Sequence, residues 1–270
     1  MERPFFSVIT VCFNAGDALK STALQLAEQT CGDYEHIIKD GGSTDGSVSH
    51  LPSDPRIKLI SCPDGGIYDA MNQAISTAKG RFIFFLNCGD LLKDTAILEE
   101  IRNFILKNLP EDGDSPDSVV YGNCILGDTP LRQPSKLSKA YLYRRPLVHQ
   151  TMFFGSGVFN AHGDFDTSIK IRADHEITLR ALCGGTEFLH IDRVICIYQR
   201  GGYSEKPENR EIRSSELARI RGKYYTEREQ KKYRLLQHLT LSKLRGRIAS
   251  NGSPSWLRRL YARVSNIFNR

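Results

Sequence analysis

The 270-residue sequence lacks the features that mark several common protein classes. No run approaches the roughly 18 apolar residues of a membrane-spanning helix, and the first residues lack a signal-peptide layout, so we expect a cytosolic protein. Its seven cysteines include no Cys-x-x-Cys pair, which argues against a disulfide framework or a zinc site. No Gly-x-Gly-x-x-Gly motif follows the first apolar run, which argues against a nicotinamide-dependent enzyme.

Acidic residues are missing from the end of the chain, since none follows Gln230. Residues 205–270 hold 17 Lys and Arg against 6 Asp and Glu, whereas residues 1–204 hold 20 against 25. The segment 255–268 has apolar residues on one helical face and arginines off it. We expect a basic, helical extension over 205–270 that either docks on the body or lies peripherally on an anionic membrane surface. Nucleic-acid binding is disfavoured because the basic charge is confined to this extension.

Residues 1–204 alternate between two hydrophobic periods. Runs rich in β-branched and aromatic residues predict strands at 5–14, 34–39, 56–61, 81–87, 119–126, 149–155 and 187–199. Helical spacing predicts helices after the first strand and over 94–107 and 173–185. Residues 64–80 are predicted as a loop that enters a helix, with Gly80 as its C-cap. This alternation predicts an α/β domain over 1–204, with a mostly parallel sheet flanked by helices.

The carboxyl ends of four successive predicted strands are polar, acidic or glycine-rich, at 13–14, 40–45, 64–69 and 87–90. Ligands of open α/β sheets bind outside the carboxyl ends of the strands, so this coincidence predicts a ligand site. Asp40 is placed to accept hydrogen bonds from a base or ribose, although its segment DGGSTDG also suits an ordinary turn.

The segment DGGIYDAMN, residues 64–72, also has two interpretations. Asp69 falls in the first turn of a predicted helix, where a carboxylate stabilises the N-terminus. In the functional interpretation, Asp69 and Asn72 face a cleft while three apolar residues pack inward. These apolar residues are Ile67, Ala70 and Met71.

The segment NCGD, residues 87–90, raises the question of a metal. Asn87 and Asp90 offer the oxygen ligands that a hard divalent cation prefers, whereas the thiol of Cys88 suits Mg²⁺ or Mn²⁺ poorly. Asp90 could equally stabilise a turn. Asp174 begins a predicted helix, where it is either a capping residue or a general base, and His149 begins a predicted strand.

The whole pattern resembles a known family. SVITVCFNAGDAL, DYEHIIKDGGSTDGS and PDGGIYDAMNQAISTAKGRFIFFLNCGDLL are similar to segments of family-2 inverting glycosyltransferases, which have the GT-A fold. GIYDAMN, FLNCGD, HQTMFF and ADHEITLRAL resemble a bacterial subgroup that builds O-antigen or exopolysaccharide, such as the colanic-acid glycosyltransferases. The resemblance covers about residues 5–204.

The resemblance implies transfer of a hexosyl or related sugar from a nucleoside-diphosphate sugar, with a UDP-sugar favoured, to a saccharide or polyprenyl-linked acceptor. Phe13 would lie against the base, with Asn14 beside it in the donor site. Asp40 would contact the nucleoside, and Asp69 and Asn72 would line the donor pocket.

Glycosyl transfer requires two kinds of electrostatic support, and the resemblance implies which of the remaining residues would supply each. The leaving diphosphate gains negative charge, and the resemblance implies that Asn87 faces it and that Asp90 holds Mn²⁺ or Mg²⁺. The attacking hydroxyl must lose a proton, and Asp174 matches the catalytic base. His149 and Gln150 would lie on the acceptor side.

Three departures from the family pattern keep an alternative open. Gly41 stands where the family usually has a second aspartate, and Gly89 takes the place of the main metal ligand of Asp-x-Asp-Asp. Gly65 replaces a frequent lysine, which removes a possible phosphate partner. The alternative is therefore a catalytically impaired nucleotide-sugar or glycan binding protein. A sugar-phosphate nucleotidyltransferase is disfavoured because CFNAGDALK offers no glycine-rich, arginine-containing loop.

Overall fold

The computed structural model describes residues 3–110, 115–198 and 206–239. The strands are β1 (Phe6–Cys12), β2 (Tyr34–Asp40), β3 (Ile57–Ser61), β4 (Phe82–Phe85), β5 (Leu91–Leu92), β6 (Ser118–Leu126), β7 (Thr129–Leu131), β8 (Met152–Gly155) and β9 (Glu187–Tyr198). The α-helices are α1 (Asp17–Ala27), α2 (Ile67–Ile75), α3 (Ile97–Asn108), α4 (Lys139–Arg144), α5 (Ser156–His162), α6 (Ala173–Gly184), α7 (Arg210–Tyr224) and α8 (Glu227–Leu239).

The strands form one sheet in the order β3-β2-β1-β4-β8-β6-β9-β5, with β7 paired to β6. Strands β3, β2, β1 and β4 are parallel, and β6 and β9 are parallel to each other. Strand β8 runs antiparallel between β4 and β6. The predicted mostly parallel sheet flanked by helices is confirmed.

Central strands of this sheet are buried on both faces, as their uninterrupted apolar runs predict. All seven residues of β2 and all four of β4 are buried. One face packs against Met71 of α2 and Ile177 of α6, and the other packs against Leu26 of α1 and Ile101 of α3. In-register pairing aligns Cys12 with Asp40, so the polar segments that follow β1 and β2 emerge side by side.

Two predicted element boundaries are wrong. Helix α2 ends at Ile75, and Gly80 is a packing residue, because a Cβ there would lie 2.3 Å from the backbone nitrogen of Ser7 on β1. His149 does not begin a strand. Residues 149–151 form a 3-10 turn, and β8 starts at Met152. This turn directs the His149 side chain toward the ends of the parallel strands.

The first part of the basic extension packs on the body. Ile220 of α7 and Tyr225 after it are buried in the same apolar cluster as Met71 and Ile177. Residues 201–204 and the predicted helix over 255–268 lie outside the described residues. Within the described part of the chain, no helix is long and apolar enough to span a bilayer.

Candidate active site

Two adjoining cavities open where the parallel strands end. Cavity A, about 530 Å³, contains Asn87, Asp90, His149, Gln150 and Asp174 in its wall. Cavity B, about 790 Å³, is lined by glycines and carboxylates at the ends of β2 and β3. A shared wall joins the cavities and consists of Val11, Cys12, Phe13, Ile67, Tyr68 and Lys170.

The structure brings seven of the ten predicted site residues to these walls. Those seven are Phe13, Asp69, Asn87, Asp90, His149, Gln150 and Asp174. The remaining three, Asn14, Asp40 and Asn72, line neither cavity. Phe13 is 66% exposed, so an aromatic face is open to a ligand at the junction of A and B.

Asp40 organises the loop that follows β2. Its buried carboxylate accepts hydrogen bonds from the backbone of Gly42, from the backbone and hydroxyl of Ser43, and from the Ser61 hydroxyl. Burial opposes ionisation, but these donors hold the pKa of Asp40 below its ordinary value. The loop therefore depends on Asp40, whose direct contact with a nucleoside stays a prediction.

Asn14 and Asn72 join separate segments of the chain. The Asn14 side chain accepts from the Thr44 backbone at 2.9 Å, which links the loops after β1 and β2. Asn72 exchanges two hydrogen bonds with the backbone of Phe165, at 2.9 and 3.0 Å. The amide of Asn72 is thus occupied by Phe165, outside the cavity walls.

The start of α2 differs partly from its prediction. Ala70 and Met71 are buried as expected, but Ile67 is 42% exposed and lies in the wall shared by A and B. It is the first residue of the helix, before the buried face is established. Asp69 accepts from the Gly65 backbone at 2.8 Å, so it stabilises the preceding loop while lining cavity B.

Asp174 is held by three neighbours at the edge of cavity A. His149 Nδ1 lies 3.5 Å from Asp174 Oδ2, and the His175 backbone N–H donates to Oδ1 at 2.8 Å. The Tyr68 hydroxyl lies 3.2 Å from the same Oδ1 and 2.8 Å from the carbonyl oxygen of Ile171. These contacts fix the orientation of the carboxylate.

The electrostatics of this group favour an ionised carboxylate. Burial would raise the pKa of Asp174, but the hydrogen bond and charge of His149 outweigh it and leave the pKa below its ordinary value. Burial likewise opposes protonation of His149, yet Asp174 raises the pKa of that imidazole. His149 is therefore a partner of the proposed base. The sequence does not predict the contact of Tyr68 with Asp174, because the two residues are 106 positions apart.

A second polar group lies at the turn after β4. Asn87 Oδ1 and Asp90 Oδ2 are buried, and neither has a hydrogen-bond partner among the described residues. Burial raises the pKa of Asp90, against the opposing effects of His149 and Gln150. The Asn87 Nδ2 atom lies 3.1 Å from His149 Nε2. The turn after β4 therefore contacts the same histidine that contacts Asp174.

These unpartnered oxygens fit a divalent cation. Mg²⁺ and Mn²⁺ prefer oxygen ligands and bind sites with few protein groups when water and phosphate complete the shell. Within the described ranges, no cluster of three or more His, Cys, Asp or Glu side chains could hold a metal alone. Gly89 has no side chain that could bind a metal. It has φ +86°, and its backbone N–H donates to the Thr22 hydroxyl. Asp90, one residue later, supplies the only carboxylate of residues 87–90.

The chain is similar to known proteins in sequence. A family model described as Glycosyl transferase family 2 matches residues 7–163. The chain is 29% identical over 222 residues to a PGL/p-HBAD biosynthesis glycosyltransferase of Mycobacterium bovis, covering 78% of this chain and 84% of that one. It is 34% identical over 217 residues to an uncharacterized glycosyltransferase of Mycobacterium tuberculosis, covering 77% and 79%.

Solved structures share the fold at low sequence identity. Residues 1–349 of S. aureus TarS in complex with UDP-GlcNAc align with a TM-score of 0.60 and 17% identity, over 92% of this chain and 76% of that chain. The mannosyltransferase PcManGT from Pyrobaculum calidifontis, in complex with GDP-Man and Mn²⁺, aligns with a TM-score of 0.64 and 16% identity, over 99% and 81%. The curled, mostly parallel sheet with flanking helices therefore matches GT-A glycosyltransferase structures.

Proposed function

Because the chain belongs to glycosyl transferase family 2, we propose that it transfers a sugar, with inversion, from a nucleoside-diphosphate sugar to an acceptor hydroxyl. The observation that carries this proposal is the composition of cavity A. An oriented, ionised carboxylate at Asp174 shares that cavity with the unpartnered oxygens of Asn87 and Asp90. A displacement at an anomeric carbon requires a base for the attacking hydroxyl and positive charge for the leaving diphosphate, and these groups could supply the base and the ligands of a cation.

Asp174 acts as the general base in this reaction. The acceptor oxygen forms a bond to the anomeric carbon, and its proton passes to Asp174. The bond from that carbon to the diphosphate breaks, and the nucleoside diphosphate leaves with the electron pair. His149 and Tyr68 keep the carboxylate oriented throughout, because each contacts a different oxygen of Asp174.

Asn87 and Asp90 would hold a divalent cation in this proposal. When bound, the cation supplies positive charge to the departing diphosphate. Asp90 would contribute a carboxylate oxygen and Asn87 an amide oxygen, and Asn87 is kept in place by its contact with His149. The Cys88 thiol donates to the carbonyl oxygen of Val11 and is not a ligand.

The donor and acceptor are proposed by chemistry. UDP is our first candidate nucleotide because a structural neighbour binds UDP-GlcNAc, and GDP is the second because another binds GDP-Man. A lipid-linked saccharide in surface polysaccharide biosynthesis, such as O-antigen, is the proposed acceptor. The basic residues 205–270 would then bring the enzyme to an anionic membrane surface.

Nucleotide-sugar turnover tests the proposed function. A panel of UDP- and GDP-sugars is incubated with the wild type, with Asp174→Asn and with the control Glu187→Gln. Glu187 is an exposed carboxylate at the start of β9, whereas the end of β9, at Tyr198, lines cavity A. We expect Asp174→Asn to lose about 100-fold or more in turnover while nucleotide affinity stays within about twofold. Near-wild-type turnover by Asp174→Asn would reject Asp174 as the base.

Calorimetry with a nucleoside diphosphate, with and without Mn²⁺, tests the metal. Asp90→Ala should abolish the metal-dependent gain in nucleotide affinity and in turnover, whereas Cys88→Ser should keep both. Nucleotide binding by the wild type without metal dependence or turnover, on any donor tested, would favour the alternative of an impaired binding protein.

A further inference from the structure

The two cavities are rich in carboxylates and poor in cations. Among the described residues that line A or B, Lys170 is the one lysine or arginine, and it belongs to both walls. The same walls carry Asp64 and Asp69 in B and Asp90 and Asp174 in A. A nucleoside diphosphate would add further negative charge to these cavities. A single positively charged side chain in their shared wall therefore has a large effect on the affinity for a diphosphate.

Lys170 lies where a diphosphate would have to pass. The exposed ring of Phe13 offers a stacking surface for a base at the side of cavity B. The sugar must reach Asp174 in cavity A, because that is where the proposed base lies. The phosphates of a bound donor would therefore lie between the two cavities, against the shared wall that includes Lys170.

The backbone around Lys170 is anchored while its ammonium group is free to bind. Its neighbours Ile169 and Ile171 are buried, and its own backbone N–H donates to a carboxylate oxygen of Glu216 at 2.6 Å. Lys170 is exposed, and its ammonium group has no ion pair or hydrogen bond among the described residues. Gly65, also in the wall of cavity B, provides no charge.

We propose that Lys170 binds the diphosphate of the donor and offsets part of the negative charge of the nucleoside diphosphate as it leaves. This inference rests on the proposed function and adds a residue to it. Lys170 supplies a positive charge from the segment before α6, on a different element from the turn that bears Asn87 and Asp90. Binding of the diphosphate therefore has a component that does not depend on metal.

Calorimetry in EDTA tests this component directly. The wild type, Lys170→Gln, Lys170→Arg and the control Lys107→Gln are titrated with UDP and with uridine, or with GDP and guanosine if guanine is preferred. Lys107 is an exposed lysine on α3, so its substitution removes the same charge away from both cavities. Side-chain replacement at 170 leaves the backbone contact with Glu216 available.

We expect Lys170→Gln to weaken UDP binding about tenfold, which corresponds to one charge-assisted hydrogen bond at a partly exposed site. Uridine affinity should stay within about twofold, Lys170→Arg should recover most of the UDP affinity, and Lys107→Gln should match the wild type. The loss should shrink as salt rises, because screening weakens an exposed ionic contact.

Three results would overturn the inference. UDP affinity unchanged in Lys170→Gln, an equal loss for uridine, or an equal loss in Lys107→Gln would each show that Lys170 does not bind phosphate. Failure of the wild type to bind any nucleoside diphosphate, with or without Mn²⁺, would instead reject the proposed function itself. The two failures are thus distinguishable in one set of titrations.

Discussion

Glu216 of α7 offers a sharp test of how the extension supports the site. Its carboxylate, 7% exposed, accepts from the backbone of Lys170 at 2.6 Å through Oε1. Its Oε2 accepts from Ile171 at 3.2 Å and from Arg172 at 3.1 Å. These three residues lead directly into α6 and Asp174. Glu216→Gln keeps the shape of the side chain but replaces one oxygen with an NH₂ group that cannot accept.

The loss of stability follows from these contacts. The best orientation of the amide keeps its oxygen on the N–H groups of Ile171 and Arg172 and leaves the Lys170 N–H facing another donor. One lost charge-assisted hydrogen bond plus one unsatisfied donor costs roughly 2–3 kcal/mol of unfolding free energy. Turnover should fall with it, because the segment that positions Asp174 loosens.

Urea denaturation and donor turnover measure the two effects. The control is Glu211→Gln, an exposed carboxylate on the same helix, which should change the unfolding free energy by less than about 0.5 kcal/mol. If Glu216→Gln were as stable and as active as this control, α7 would not support the loop and the reasoning would be wrong. A chain ending at residue 204 should show at least the defect of Glu216→Gln.

Three further predictions follow from packing and from the base. Gly80→Ala should cost about 2 kcal/mol or more in urea denaturation, since its Cβ would meet the Ser7 backbone; a smaller loss would refute the packing role. Tyr68→Phe should lower kcat about three- to tenfold with little change in nucleotide affinity, and an unchanged kcat would exclude it from positioning Asp174. Because the pKa of Asp174 is held below its ordinary value, kcat/KM should stay level down to mildly acidic pH and fall only below it; an acidic limb near pH 7 would contradict an ionised base.

Patterns local to the chain were enough to predict the longer strands of the sheet, but not the short strands β5 and β7. Long apolar runs such as Phe82–Phe85 form strands buried on both faces, and the register of β1 with β2 brings their polar ends together. A buried parallel strand leaves a strong hydrophobic signal in its own residues, and a strand end is marked by the polar residues that follow it. Cavity walls at these ends, including Phe13 and Asp90, could therefore be found without coordinates.

Contacts between distant segments were decided only by the tertiary structure. Nothing local to Tyr68, His149 or Asp174 shows that they meet, since the chain brings them together from α2, a 3-10 turn and α6. The same holds for Glu216 and Lys170, which are 46 residues apart. The orientation and protonation of a catalytic carboxylate depend on which donors surround it. The sequence by itself thus determined which strand ends form the cavity walls, and the packing of separate elements decided how Asp174 is held and in which direction its pKa is shifted.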